Sequence, residues 1–402
     1  MTQDHSQTLP WSAATPAVLD HFSALRDPRQ RCKVVFPLPE IMLLVLCGTL
    51  VGAEDFVEIE QWGGVNLPFL RSFLPYRDDI PSHDTLNDVI NALDPELFKA
   101  CFMSWVTSLQ EAGLAPASAN DEALLPSALE QEVIAIDGKT SRRSHNRNKG
   151  RNPLHVVSAW ASHQRLVLGQ QAVDEKSNEI TAIPLLLDRL MLRGALVTID
   201  AMGTQTAIAE KILEKGGDYC LALKENRPVL HADVERYFVD PPKDDVTTLQ
   251  TVDNDHGRLE IRNHSVCHDV AWLFSDRRYA GEVAFPGLVM IGMVRCMVER
   301  NGKIENGVRY YLCSAKLDVA TFARAVRAHW GIENRLHWVL DTIFHDDLAR
   351  LRTGHGPENM AIVKHMAMNF LRSTTSRASL KVRRKKAGWD STYLGKVLRG
   401  AG

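Results

Sequence analysis

The chain has 402 residues, 45% hydrophobic and 24% charged, and its 47 basic and 49 acidic residues give a net charge of −2. That length and balance describe an ordinary globular protein of two or three domains and exclude a disordered or fibrous chain. The longest apolar run, residues 41–53, is interrupted by Gly48 and Gly52 and is too short to span a bilayer; residues 1–16 lack the order of a signal peptide. Seven cysteines lie far apart with no Cys-x-x-Cys pair, which fits neither a disulfide framework nor a zinc finger and makes a reducing cytosol the simplest home.

Taken in order, residues 1–16 are expected to form a flexible tail and residues 17–114 a helical domain broken by short polar turns. Within it, Pro37-Leu38-Pro39 precedes a helix over 41–50, Pro81-Ser82-His83-Asp84 caps a helix running to Leu93, and Asp94-Pro95-Glu96 opens another. Arg26, Arg29, Arg31 and Lys33 suit phosphate contacts or a solvated loop equally. Residues 115–131, rich in Ala, Pro and Ser, have the composition of a linker.

From Glu132 the pattern changes. Apolar runs at 132–137, 154–161, 166–173, 195–200 and 218–224 predict strands, with helices expected over 179–193, 204–215 and from Arg227 towards Tyr237. That order defines a mixed α/β layer fold. Residues from about 240 to 316 read as a β-rich insertion, with strands at 249–252, 257–266, 287–298 and 308–313. A helix over 327–341, another from Pro357 to about Arg372, and a basic tail over 376–402 complete the chain, so the α/β domain is expected to run 132–375. From residue 371 onward the only acid is Asp390, set against Arg372, Arg377, Lys381, Arg383, Arg384, Lys385, Lys386, Lys396 and Arg399. That end should attract polyanions.

Two of the strands end in an aspartate, Asp137 and Asp200, which places both carboxylates at the carboxyl edge of one sheet. A third carboxylate, Glu333, sits at helical spacing from Val326, His329, Trp330, Leu336, His337 and Leu340, and is expected on a buried apolar stripe. A charge there needs a cation or a metal. Three hard oxygen ligands suit Mg²⁺ or Mn²⁺, and two such ions about 4 Å apart can drive phosphodiester displacement.

At these residues the sequence resembles a family. Ile136-Asp137-Gly138-Lys139-Thr140, residues 154–159, 175–179 and 198–205, Gly217-Asp218-Tyr219, His256-Gly257-Arg258, Tyr310-Tyr311 and residues 329–334 occur in the order found in insertion-sequence transposases of the H-repeat-associated type, a branch of the DDE transposases. The resemblance spans nearly the whole chain. It implies a ribonuclease-H-like core interrupted by a β-rich insertion, with Asp137, Asp200 and Glu333 as catalytic and metal-binding triad. It also implies two Mg²⁺ or Mn²⁺ ions, cleavage and strand transfer on double-stranded DNA (element ends and target), and a homodimer or larger assembly on DNA. Expected surroundings are cytoplasmic, at the nucleoid, with no membrane. The wider superfamily carries Arg four residues before the Glu and Lys seven after, where this chain has His329 and Leu340.

Other candidates carry two readings. Lys139, Lys224, Arg327 and Arg335 are expected on DNA phosphates or as structural and solvent charges, whereas Arg383, Arg384, Lys385 and Lys386 are expected on DNA phosphates. His329, Asn334, His337, Asp346 and Asp347 are expected to support the ligands, with either aspartate as a reserve ligand. His329, Glu333 and His337 at four-residue steps could bind zinc, but histidines so placed are more often hydrogen-bonded core groups. Gly138-Lys139-Thr140 lacks the upstream glycine of a phosphate loop. The rival functions are a nuclease without strand transfer and an inactive DNA-binding relic.

Overall fold

The computed structural model describes residues 17–112, 131–145, 150, 152–174, 177–242, 244–255, 258–274, 285–300 and 302–400. The expected tail, nearly all of the expected linker, and the 175–176 and 256–257 pieces of the family blocks lie outside these residues.

The front of the chain is helical, as its capping signals require: α1 (Ala17–Phe22), α2 (Leu38–Val51), α3 (Phe56–Val65), α4 (Leu67–Leu70), α5 (His83–Ala92) and α6 (Pro95–Glu111). Ser82 accepts the Thr85 N–H and Asp94 accepts those of Glu96 and Leu97, so both predicted starts are true N-caps. Helix α2 is apolar on every side and is buried along nearly its whole length.

One nine-stranded sheet follows, in the order β3-β2-β1-β4-β5-β9-β8-β7-β6. Its strands are β1 (Val133–Ser141), β2 (Leu154–Ala161), β3 (Leu166–Ala172), β4 (Leu196–Ile199), β5 (Asp218–Leu223), β6 (Val246–Asp255), β7 (Arg258–Cys267), β8 (Met290–Arg300) and β9 (Lys303–Cys313). Helices α7 (Glu179–Arg189), α8 (Thr206–Glu214) and α9 (Pro228–Val239) follow β3, β4 and β5. Among the described residues, only the β1–β4 and β4–β5 pairs are parallel. The β-rich segment joins the same sheet, because β9 pairs antiparallel with β5 and carries β8, β7 and β6 outward.

Alternation along the strands gives the sheet two buried faces. On one, Val197, Tyr219 and Leu221 enter a core shared with the front helices and with α12 (Gly356–Ser373). On the other, Leu196, Cys220 and Cys313 pack against Phe322, Ala325 and Val326 of α10 (Val319–His329). Asn369 of α12 closes the edge of β3: its amide accepts the Val167 N–H and donates to the Val167 carbonyl, both at 2.9 Å. No helix among the described residues is long and apolar enough to cross a membrane.

The expected basic tail takes a different form. Residues 380–389 and 391–399 fold as α13 (Leu380–Trp389) and α14 (Ser391–Arg399), begun by Ser379 and Asp390 caps and packed against α2 and α12. Arg384 is 7% exposed and donates to the Thr49 carbonyl at 3.0 and 3.1 Å and to the Ile343 carbonyl, over the Phe344 ring. Thr49 lies in the last turn of α2, so Arg384 satisfies a carbonyl that the helix itself leaves unpaired. Arg383, also buried, donates to the carbonyls of Leu371, Thr374, Ser376 and Ala378. The expectation that Arg383 and Arg384 lie on DNA is corrected: both guanidinium groups are spent inside the protein.

Candidate metal centre

Strands β1 and β4 run parallel with Ile136 opposite Ile199. The next residues, Asp137 and Asp200, therefore stand level on neighbouring strands, at the carboxyl edge where sites in such sheets open. One detail differs from expectation. Strand β1 does not end at Asp137 but continues to Ser141, paired with β2, whereas Asp200 does follow the last residue of β4. Asp200 accepts the Met202 N–H at 3.0 Å and so starts the short 3-10 turn Ala201–Gly203.

Burial pushes the Asp137 carboxyl up to about 7. The Gly138 N–H, donated to Oδ1 at 2.9 Å, works the other way, while the charges of Glu179, Asp200 and Glu333 add to the rise. Four carboxylates thus share one field. Among the described residues the neighbour of Asp137 within ion-pair range is His337, whose Nδ1 lies 3.6 Å from Oδ2. Burial and then Lys139 pull His337 down to about 4, so this ring is neutral at pH 7 and the contact is polar rather than ionic. Its Nε2 is buried with no hydrogen-bond partner among the described residues.

Residues 327–341 are one helical rod but not one α-helix. After α10 ends at His329, a π-turn spans Ile332–His337 and leads into α11 (Trp338–Thr342), with helical angles kept at Trp330 and Gly331. A π-turn winds more slowly than an α-helix, so a stripe drawn at 3.6 residues per turn does not hold across it. Ile332 and Leu336 take the buried side, and Glu333 and Asn334 are exposed. The expectation of a buried Glu333 is corrected, although its charge still reaches Asp137. His329 lies beneath Asp200, with Nδ1 2.9 Å from Thr198 Oγ1 on β4, and burial and then Arg309 lower it to about 4.

A cleft of ≈ 90 Å³ opens beside Asp200 between β4, β5, β9 and α10, lined by Lys224, Arg309, His231, Tyr310 and His329 among others. Lys224 is exposed at its mouth. Arg327 does not join this group, since its guanidinium is 3.7 Å from Asp253 of β6. Arg335 is half-exposed, and Lys385 and Lys386 are exposed on α13.

Lys139 is not at the surface. It is 11% exposed, with Nζ 2.6 Å from Asp341, 3.4 Å from Asp347 and 3.9 Å from Asp346. Asp341, Asp346 and Asp347 bring their carboxylate oxygens within 4.8 Å of one another, close enough to hold an ion. However, they already hold cations. Lys364 binds Asp346 at 2.7 Å, Arg142 lies 3.3 Å from Asp347, and Lys139 touches all three. Burial raises the Asp346 carboxyl, but Lys364, Ser141 and Lys139 outweigh it and hold it at about 2. The acidic set around Asp137 has no such compensation among the described residues, and hard, uncompensated oxygens are the donors a divalent ion prefers.

Sequence reasoning missed Glu179 and His155 as neighbours of the site. Glu179 opens α7, and its Oε1 lies 2.7 Å from His155 Nε2. No spacing in the sequence connects either residue to Asp137.

The site is thus a mixed α/β sheet with aspartates on adjacent parallel strands and an exposed glutamate on a later helix whose charge reaches Asp137. Comparison with known proteins gives the family. Residues 128–370 match the transposase DDE domain, and residues 19–106 match the DDE_Tnp_1-associated domain. The chain is 37% identical over 390 residues to "H repeat-associated putative transposase YhhI" of Escherichia coli K12, covering 96% of this chain and 98% of that one. It is 36% identical over 390 residues to "Putative transposase YncI" of E. coli O157:H7, covering 95% and 94%. A shorter match, 38% over 74 residues, covers 18% of this chain and 88% of "Inactive transposase YbfQ" of E. coli K12. The chain belongs to the DDE transposases of the H-repeat-associated type.

Proposed function

We propose that this transposase binds the terminal inverted repeats of its own insertion sequence, cuts the DNA there, and joins the freed 3′-hydroxyl to target DNA. Asp137, Asp200 and Glu333 are the ligands for two Mg²⁺ or Mn²⁺ ions. Bound there, such ions would activate the attacking oxygen and stabilise the leaving one. The observation that carries this reading is the level placement of Asp137 and Asp200 on parallel strands, with a carboxyl at Asp137 raised by burial and by its acidic neighbours. The strand order β3-β2-β1-β4-β5 supports a ribonuclease-H-like core, to which β6–β9 are the β-rich addition.

The chain's own residues then divide the work. His329 and Thr198 fix the end of β4 beneath Asp200, and neutral His337 packs against Asp137 without cancelling its charge. Lys224 at the cleft mouth and Lys385 and Lys386 on α13 neutralise phosphates, which makes binding salt-dependent. The front helical domain takes part in reading the repeat ends, a dimer or larger assembly holds two ends together, and the protein works in the cytoplasm at the nucleoid.

The test is Mg²⁺-dependent cleavage of DNA carrying the flanking repeats, comparing wild type with Glu333→Ala. Cleavage at the repeat end that is lost in the variant, with joined products from wild type, supports the reading. Cut but never joined DNA would leave a nuclease, and binding without cleavage by wild type would leave an inactive relic.

A further inference from the structure

Beyond Asp137, strand β1 pairs with β2 through Gly138↔Val157 and Thr140↔His155. His155 is held at both ring nitrogens, with Nδ1 2.7 Å from Thr140 Oγ1 and Nε2 2.7 Å from Glu179 Oε1. A carboxylate only accepts, so Nε2 carries a proton towards Glu179, and in the neutral ring the Thr140 hydroxyl donates to Nδ1. Glu179 itself is set by the start of α7, where the Asn178 side chain accepts the Ile180 N–H at 3.1 Å.

Beneath this pair lies Gly138. A Cβ there would stand 2.1 Å from Glu179 Oε1 and 2.6 Å from His155 Nε2. Gly138 is not among the residues with positive φ, so what glycine supplies here is space: a methyl group would displace the Glu179 carboxylate and the His155 ring from their present positions. The missing side chain lets a carboxylate from another element lie against the strand, one residue from Asp137. Glu179 is 16% exposed, so its carboxylate lies largely shielded from bulk water beside the strand that carries Asp137.

We propose that Glu179 is a fourth carboxylate of the metal centre, with Oε1 committed to His155 and Oε2 serving as the ligating oxygen. This rests on the reading of Asp137 and Asp200 as metal ligands. His155 and Thr140 orient the glutamate, and Gly138 makes room for it.

The experiment titrates Mn²⁺ into the purified full-length protein, following free Mn²⁺ by electron paramagnetic resonance and the metal-induced rise in Tm. The proteins compared are wild type, E179Q, G138A and D137N. Gln keeps the shape of Glu179 and an acceptor for His155, so E179Q should keep the metal-free Tm while its Kd for Mn²⁺ rises at least about tenfold. G138A should weaken uptake as well, by displacing the carboxylate with its methyl group, and it decides the matter should E179Q fold poorly. Uptake by E179Q and G138A equal to wild type, with D137N deficient, would overturn the role of Glu179 and leave the metal centre standing. Wild type that takes up no Mn²⁺, or D137N that titrates like wild type, would overturn the metal centre and the Glu179 proposal with it.

Discussion

Asp137 and Asp200 are neighbours because Ile136 and Ile199 are register partners on two parallel strands. A shift of one residue in that pairing would send one carboxylate to the opposite face of the sheet. The apolar residues before each aspartate therefore aim the site as well as build the core. Val133, Ile134, Ala135 and Ile136 on β1 and Leu196, Val197 and Ile199 on β4 are all buried.

The first prediction concerns the three carboxylates of the proposed triad. Asp137→Asn, Asp200→Asn and Glu333→Ala should each lower end cleavage by more than about a hundredfold, the upper range for losing a residue that merely orients a ligand. Binding to the repeat ends should stay within about twofold of wild type, because phosphate contacts made elsewhere dominate affinity. Cleavage and gel-shift assays on the same preparations check this, and an active Asp200→Asn would sink the assignment.

The strands were legible because their apolar runs are short, β-branched and bounded by turn residues, which favours strand over buried helix; that β1 continues past Asp137 to Ser141 was not. Nor was the exposure of Glu333. The stripe through Val326, His329, Leu336 and His337 assumes 3.6 residues per turn, and nothing in the composition of residues 332–337 announces a π-turn. Arg383 and Arg384 misled for a different reason. A run of charge is normally solvated, and while the carbonyls that bind Arg383 lie in the segment just before it, those of Thr49 and Ile343 that bind Arg384 come from distant parts of the chain. Gly138 and Glu179 likewise meet only in three dimensions.

A second prediction follows from the raised Asp137 carboxyl. Its folded value of about 7 lies above the ordinary 3.8, so the folded metal-free protein holds this proton more tightly than the unfolded chain. The stability linked to it is present below pH 3.8 and is lost as pH rises through 7. Asp137→Asn removes the charge, so in the presence of a chelator it should stabilise the protein at pH 8 by on the order of 1–4 kcal/mol and have little effect near pH 4. Urea denaturation at the two pH values measures this. Mn²⁺ must displace the same proton, so wild-type affinity should fall by up to about tenfold per pH unit below 7.

The second acidic group should behave in the opposite way. Asp346 is held at about 2 by Lys364, Ser141 and Lys139 against its burial, so its contribution to stability is present above pH 3.8 and is lost as pH falls through 2. Asp346→Ala leaves the Lys364 ammonium buried without its 2.7 Å partner and should cost about 3–5 kcal/mol. Asp347→Asn should change Mn²⁺ affinity less than about twofold, because Lys139 and Arg142 already neutralise that carboxylate. A large loss of Mn²⁺ binding in Asp347→Asn would move the metal to this cluster.

Adjacent residues of α13 should separate fold from DNA binding. Arg384 fills hydrogen bonds to Thr49 and Ile343 inside the protein, and burial, partly offset by Glu54, draws its pKa down to about 10. Arg384→Met strands those carbonyls and should cost about 2–5 kcal/mol, seen as a lower urea midpoint with no change in the salt dependence of DNA binding by the folded fraction. Lys385 and Lys386 are exposed one and two residues later. Alanine should shift stability by no more than about 0.5 kcal/mol at Lys385 and by about 0.5–1 kcal/mol at Lys386, whose ammonium lies 4.6 Å from the Tyr393 ring centre. Alanine at both should also reduce the slope of log affinity against log salt by about 1 for each lysine that touches a phosphate. An unchanged slope in the double variant would show that this face of α13 does not meet DNA, and the phosphate contacts would then be sought around Lys224 and the cleft beside Asp200.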